Sequence, residues 1–175
     1  MTGNRTYKHI KDSSNISGIS RLFKDVFKGE SVDKLAEIAT EHMPSFGSWY
    51  VYEENSKVIS AFAQVEWKIK MGETPLKVWE QAIVGSLEEY RGQGLIRELN
   101  QKLDRDAIDN GIDMIIIQGI PDFYHKFKYR YAIELDNHIN IDLDVITGVE
   151  DETEFKKLTE DDYQLFIDQE KDRDE

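Results

Sequence analysis

The sequence contains no cysteine, and its four histidines are scattered along the chain. The lack of thiols excludes disulfides, zinc sites built on cysteine and thiol nucleophiles, and it is consistent with a reducing cytoplasm. No apolar run approaches the roughly 18 residues of a membrane span, and no charged-then-apolar leader opens the chain. These absences predict a cytoplasmic protein that needs neither a membrane nor a metal.

Positive charge is also scarce, with 22 Lys and Arg against 35 Asp and Glu and a formal net charge of -13. Residues 142–175 carry -10 of this charge, so the body of the chain is nearly balanced. No basic stripe could neutralise a phosphate backbone, and nucleic-acid binding is therefore not expected. The 175 residues, 39% of them hydrophobic, suffice for one globular domain with a real core.

The segment from Ile83 to Ile96 reads as a strand, a tight glycine-bearing turn and the start of a helix. Apolar residues at helical spacing follow the turn: Leu95, Leu99, Leu103 and Ala107. Gly92 and Gly94 allow a ligand to approach the backbone, the helix N-terminus favours an anion, and Arg91 adds a charge. Position 97 is arginine rather than the third glycine of a dinucleotide fingerprint, and no GK[ST] run exists. The turn therefore predicts a pyrophosphate site of another kind.

The surrounding pattern predicts a mixed sheet. Three strands, at 49–52, 59–69 and 76–84, are joined by short turns and form an antiparallel meander. The helix at about 94–110 ends at Gly111, and the uniformly apolar run from Met114 to Ile117 predicts that 112–118 is a buried strand parallel to 76–84. An edge strand near Tyr7 and two helices, at about 14–28 and 31–44, precede the meander.

In the third strand of the meander, a carboxyl group lies on an otherwise apolar face, formed by Leu76, Val78, Ala82 and Val84. If Glu80 is buried there, its pKa would rise, which suits a general base near neutral pH. The alternative is that Glu80 bonds a structural partner or lies at a wet sheet edge.

Two motifs resemble the GNAT superfamily of N-acetyltransferases. Arg91-Gly92-Gln93-Gly94-Leu95-Ile96 is similar to the coenzyme A loop Arg-x-x-Gly-x-(Gly/Ala), except at Ile96, and Glu88 stands where the family often has proline. The segment 119–129 is similar to G-x-P-x-(F/Y)-Y-x-x-F-G-(F/Y) of one branch, with Lys128 in place of glycine.

The resemblance implies an α/β fold of the GNAT type, with an antiparallel N-terminal meander, a parallel βαβ unit and flanking helices. It implies acetyl-CoA as cosubstrate, held at Val84, Gly85, Ser86, Arg91, Gly92, Gln93, Gly94, Leu95 and Ile96. Glu80, directly or through water, would deprotonate a small-molecule or peptide amine, and Tyr124 would protonate the departing sulfur. A phenol with a pKa near 10 is a fair acid for a thiolate, although Tyr124 is equally compatible with a core tyrosine.

The acetyltransferase domain is predicted at residues 1–147, followed by an acidic linker and helix at 148–175. Residues 155–166 resemble the opening of another GNAT domain, as in tandem members, or form a simple terminal helix, and both interpretations stay open. A homo-oligomer is also left open. The alternative functions are a coenzyme-A-binding domain that has lost catalysis, with Glu88, Ile96 and Lys128 as signs of decay, and a pure interaction module.

Overall fold

The computed structural model describes residues 4–12, 16–27, 42–120, 122–132 and Thr159. Contacts between Cα atoms divide the chain into the units Met1–Leu135 and Asp136–Glu175, and the description below concerns the first. Several predicted features lie outside the described residues: residues 31–41 of the second predicted helix, the domain boundary at 147 and, apart from Thr159, the linker and helix of the tail.

The first unit contains five strands and two α-helices among its described residues. The strands are β1 (Arg5–Ile10), β2 (Gly47–Glu54), β3 (Lys57–Met71), β4 (Thr74–Ser86) and β5 (Met114–Ile116). The helices are α1 (Ile16–Val26) and α2 (Leu95–Asp109). Short 3-10 turns lie at Met43–Ser45, Glu88–Tyr90 and Tyr124–Phe127.

The strands form one mixed sheet in the order β1-β2-β3-β4-β5. The first three pairings are antiparallel, and β4 and β5 are parallel. Helix α2 ends at Asp109 and is followed by Asn110 and Gly111, where Gly111 has φ +64° and the Ile112 N–H donates to the Ala107 carbonyl at 2.9 Å. This closure turns the chain back into β5. The predicted meander and βαβ unit are confirmed.

The two helices cover opposite faces of the sheet. On one face, the rings of Phe23 in α1 and Trp49 in β2 lie 5.4 Å apart. On the other face, the hydroxyl groups of Tyr50 and Tyr52 donate to Asp106 and Glu98 of α2, at 2.6 and 2.8 Å. The predicted helical stripe of α2 is buried. The core therefore has two layers, one on each side of the central strands.

A bulge interrupts β4 near its end. Ala61 pairs with Gly85 and Ala63 with Ala82, so two residues of β4, Ile83 and Val84, oppose one residue of β3. Ile83 has φ +49°, which is a strained value for a β-branched residue. The prediction that Val84 shares the face of Glu80 and Ala82 is therefore wrong, because the extra residue shifts the alternation and Gly85 takes that side.

The contact between β4 and β5 is short. It pairs Val78 with Met114, Trp79 with Ile115 and Glu80 with Ile116, and the ladder ends there. The predicted strand at 112–118 is thus three residues long, and its side chains are half-buried rather than buried. Beyond Glu80 and Ile116 the two strands no longer pair.

In the part of the chain that the structure describes, no helix is long and apolar enough to cross a membrane.

Candidate active site

The glycine turn between β4 and α2, residues 91–94, is here called the phosphate loop. Gly92 and Gly94 have φ values of +74° and +84°, and a Cβ atom at either position would meet nothing within 4 Å. Gly94 is the N-cap of α2, and because glycine has no side chain, no side chain at this position caps the first N–H groups of the helix. The first backbone N–H groups of α2 therefore face an open, glycine-lined surface, which favours an anion.

The other predicted members of this site are divided between surface and core. The Arg91 side chain is exposed, and its Nε makes only a long contact of 3.4 Å with the Ser86 carbonyl. Leu95 is buried and Ile96 packs against the same core, so they offer a ligand their backbone groups alone. Ile96, which departs from the family pattern, is explained by this packing.

The end of β4 supplies Val84, Gly85 and Ser86. Gly85 is buried, and an added Cβ would lie 3.1 Å from Phe23 and 3.3 Å from Val26, so its glycine serves the packing of α1. The Ser86 hydroxyl pairs with that of Ser60 at 2.7 Å. Because the β4–β5 ladder has already ended at Glu80, the backbone here has no partner in β5, and this unpaired stretch beyond Glu80 and Ile116 is called the gap between the two strands.

Glu80 occupies the last paired position of β4, on the face of α1. It is half-buried, and its Oε2 accepts a hydrogen bond from the indole N–H of Trp67 at 2.9 Å. Trp67 lies on the neighbouring strand with 49% of its surface exposed. The carboxyl group is thus held in place at the mouth of the gap and is not isolated among apolar neighbours.

Tyr124 follows β5, and its ring lies against Gly119. A Cβ atom at position 119 would be 2.4 Å from Cδ2 and 2.5 Å from Cε2 of Tyr124, so only glycine leaves room for the ring. Burial raises the pKa of the Tyr124 hydroxyl, which keeps it protonated. Lys128, which replaces a glycine of the family pattern, keeps a left-handed φ of +73°, so the turn after Tyr124 has the conformation that glycine favours.

A second tyrosine, to which the sequence analysis assigned no role, ties this segment to β4. The Tyr129 hydroxyl donates to Oε1 of the fully buried Gln81 at 2.8 Å, and its ring lies 6.0 Å from that of Tyr124, edge to face. Because Gln81 follows Glu80 in the strand, the two side chains point to opposite faces of the sheet. Tyr129 therefore ties the segment that carries Tyr124 to β4 at the residue after Glu80, on the opposite face of the sheet.

A further set of residues to which the sequence assigns no role lies beside the phosphate loop. Arg5 in β1 pairs with Glu54 in β2 and also donates to the Gln93 side chain, while the Tyr90 hydroxyl donates to Glu54. These contacts join residues 36 to 88 positions apart. No local pattern in the sequence indicates them.

The described part of the chain contains no group of His, Asp and Glu side chains that could hold a metal ion. The described residues thus include a glycine turn at the start of α2, a stretch of β4 that β5 does not pair with, the Glu80 carboxylate at the last paired position and the protonated phenol of Tyr124 after β5. This arrangement fits an acyl donor that carries a phosphate-bearing arm.

Comparison with known protein families identifies the family to which this fold belongs. The family model described as "Acetyltransferase (GNAT) domain" matches residues 6–132, and the chain belongs to this family. A comparison with curated proteins finds no match.

Solved structures agree with the assignment at the level of the fold. An acetyltransferase from Trypanosoma brucei is 19% identical, with a TM-score of 0.61, over 79% of this chain and 100% of that one. A predicted acetyltransferase from Clostridium acetobutylicum, solved with acetyl-CoA, is 15% identical, with a TM-score of 0.62, over 83% and 100%. The aminoglycoside N-acetyltransferase AAC(6')-Iy, solved with CoA, is 10% identical, with a TM-score of 0.62, over 80% and 97%.

Proposed function

We propose that this protein is an acetyl-CoA-dependent N-acetyltransferase that transfers the acetyl group to a primary amine by direct attack on the thioester. The observation that carries the proposal is the phosphate loop, where Gly92 and Gly94 hold left-handed φ values above open space at the start of α2. A similar fold is solved with acetyl-CoA in the protein from Clostridium acetobutylicum, which supports the choice of coenzyme.

The proposed binding mode uses backbone groups at both ends of the gap. Residues 91–96 would hold the pyrophosphate through N–H groups, with Arg91 as a mobile cation beside it. On the side away from β3, where β5 no longer pairs with it, the backbone of Val84, Gly85 and Ser86 would hydrogen-bond the amides of the pantetheine arm, as a neighbouring strand would. This mode needs no particular side chain at 84 or 96, which fits the packing roles that these side chains have.

Acetyl-CoA supplies an activated acetyl thioester, and the side chains of the chain handle the protons. Glu80 would accept a proton from the ammonium group of the acceptor, directly or through water, because the Trp67 N–H already fixes its carboxylate at the gap. Tyr124 would donate its proton to the departing sulfur, because burial keeps the phenol protonated. The acceptor would be a small-molecule or peptide amine.

The test is the shift in melting temperature that acetyl-CoA causes, since a ligand that binds only the folded state stabilises it by mass action. Wild-type protein should be stabilised by millimolar acetyl-CoA, and Gly94→Asp should abolish the shift by placing bulk and negative charge in the loop. The matched control is Gly72→Asp in the β3–β4 turn, a glycine that also has a positive φ (+58°) and open space. This variant should keep the full shift.

A panel of amines then separates an enzyme from a binding domain. Release of free coenzyme thiol with at least one amine would support the transferase. A protein that binds acetyl-CoA and acetylates no amine would instead be a coenzyme-A-binding domain. The absence of any shift in the wild-type protein at millimolar acetyl-CoA would refute both.

A further inference from the structure

We propose that Arg5 and Glu54, at the outer end of the β1–β2 ladder, position the phosphate loop and thereby set the affinity for acetyl-CoA. Neither residue belongs to the βαβ unit that carries the loop, and both reach it through side chains alone. The statement about affinity rests on the proposed function. The statement that these residues order the loop does not.

The contacts form a closed clamp. Arg5 and Glu54 are register partners, and the Arg5 Nε donates to one carboxylate oxygen of Glu54 at 2.9 Å. The other carboxylate oxygen accepts the Tyr90 hydroxyl at 2.7 Å. A terminal nitrogen of Arg5 donates to Oε1 of Gln93 at 2.5 Å, inside the loop. One ion pair therefore holds the residue before the loop and a residue within it.

Gln93 carries this restraint into the backbone. Its side-chain Nε2 donates to the Glu89 carbonyl at 2.9 Å, so the amide group bridges Arg5 to the turn that precedes the loop. The loop needs such a restraint because Gly92 and Gly94 have no side chains of their own to limit their conformations. A loop that is already ordered binds more tightly, since less conformational entropy is lost when the ligand arrives.

The clamp lies at the protein surface, where Arg5 and Gln93 are exposed and Glu54 and Tyr90 are half-buried, and it is charged at neutral pH. The side chains of Arg5 and Glu54 are 30% and 11% exposed. Hydrogen bonds from Tyr90 and from Arg5 hold the pKa of the Glu54 carboxyl below its ordinary value. The Nε of Arg5 is engaged by Glu54 and a terminal nitrogen by Gln93, so Arg5 acts on the coenzyme through the loop. It is a positioning residue.

The first experiment uses the protein without coenzyme. Amide hydrogen exchange of residues 90–94 should become about fivefold faster in Arg5→Gln, the equivalent of one lost hydrogen bond. The matched control is Lys8→Gln, which removes another β1–β2 ion pair, from Lys8 Nζ to Glu53 Oε2 at 2.6 Å, away from the loop. Lys8→Gln should leave the exchange of the loop unchanged. Equal exchange in wild type and Arg5→Gln would overturn the proposal.

The second experiment measures the Kd of acetyl-CoA by calorimetry. Arg5→Gln should raise the Kd about fivefold. Arg5→Lys should raise the Kd less, because lysine keeps the positive charge but lacks the planar guanidinium and its several N–H donors. Lys8→Gln should leave the Kd unchanged. If Arg5 acts through Gln93 and, by way of Glu54, through Tyr90, adding Arg5→Gln to the double variant Tyr90→Phe/Gln93→Leu should weaken binding no further. Additive losses would mean a direct contact with the coenzyme and would overturn the positioning role.

The two proposals fail in different ways. Faster loop exchange in Arg5→Gln, with no acetyl-CoA binding by the wild type, would refute the proposed function and support the clamp. Normal acetyl-CoA binding, with no effect of Arg5→Gln on exchange or on Kd, would refute the clamp and leave the proposed function standing.

Discussion

Replacement of Gly119 by alanine should displace the ring of Tyr124 without disturbing the backbone. An added Cβ would lie 2.4 Å from the nearest ring carbon, about 1 Å short of an ordinary carbon–carbon contact. Gly119 has no left-handed φ, so the backbone suits alanine and the whole effect is steric. Because the contact atoms belong to a ring that packs on Phe123 and Tyr129, the ring has to move as a unit.

Two consequences of this displacement can be measured. The overpacking should cost about 1–3 kcal/mol in the free energy of unfolding, or roughly 2–4 °C in Tm for each kcal/mol. If Tyr124 is the acid that protonates the sulfur, a misplacement of about 1 Å should lower kcat about 10²-fold, with little change in the Kd of acetyl-CoA. Thiol release at saturating acetyl-CoA, with an amine that the panel identifies, gives kcat.

A matched control separates the two effects. Gly111→Ala places a side chain at φ +64° in open space, so it should lose about 1 kcal/mol without touching Tyr124. Its kcat should stay that of the wild type. Tyr124→Phe should itself lower kcat about 10²-fold, and Gly119→Ala should add little to that loss. An undiminished kcat in Gly119→Ala, or losses that multiply in the double variant, would refute the role of Tyr124.

Three further predictions follow from other parts of the sheet. Burial, aided by the charge of Lys11, holds the pKa of His9 below its ordinary value near 6.5. The unfolded chain therefore takes up the proton first, and the free energy of unfolding should fall as the pH drops below about 6.5. Urea titrations at several pH values should show a shallower fall in His9→Gln. Ile83→Gly relieves a left-handed φ and should cost about 1 kcal/mol less stability than Val84→Gly, whereas equal losses would argue against strain at the bulge. Glu80→Gln should lower kcat about 10²-fold at an unchanged Kd for acetyl-CoA, and a loss of affinity alone would remove Glu80 as the base.

The sequence predicts the order and type of the described elements because their signals are local. The alternation from Ile59 to Ile69 and the helical spacing from Leu95 to Ala107 each extend over ten residues or more, and the strand and the helix that they predict are both present. The burial of β3 does not alternate, because Val58 to Gln64 are buried on both faces of the sheet. Gly111 ends the helix where its backbone freedom suggests. The glycines of the phosphate loop are informative for the same reason, since few other residues adopt their φ values.

What the sequence does not predict depends on distant parts of the chain. Gly85 at the end of the strand suggests a bulge or a close approach of a ligand, but not its position or its effect on the faces. The bulge falls at Ile83 and Val84, with no glycine at its left-handed position, so the face expected for Val84 is wrong, and the pairing with β3 defines the bulge. The length of β5 is likewise set by where β4 diverges, because an apolar run such as 114–117 is compatible with a longer strand. Arg5 and Glu54 meet the loop across the sheet, and their spacing in sequence carries no sign of it.

The short ladder between β4 and β5 has a consequence for how the domain opens. Only three residue pairs join these strands, whereas the antiparallel pairing of β3 with β4 extends from Ser60 to Met71. Sub-global opening at this seam should therefore need less free energy than loss of the meander, which gives the sheet two levels of cooperativity. A ligand that hydrogen-bonds both strands would raise the free energy of opening at this seam, so that the seam and the meander would open together. The concentration of such a ligand, as much as the sequence, would then decide whether the sheet unfolds in one step or in two.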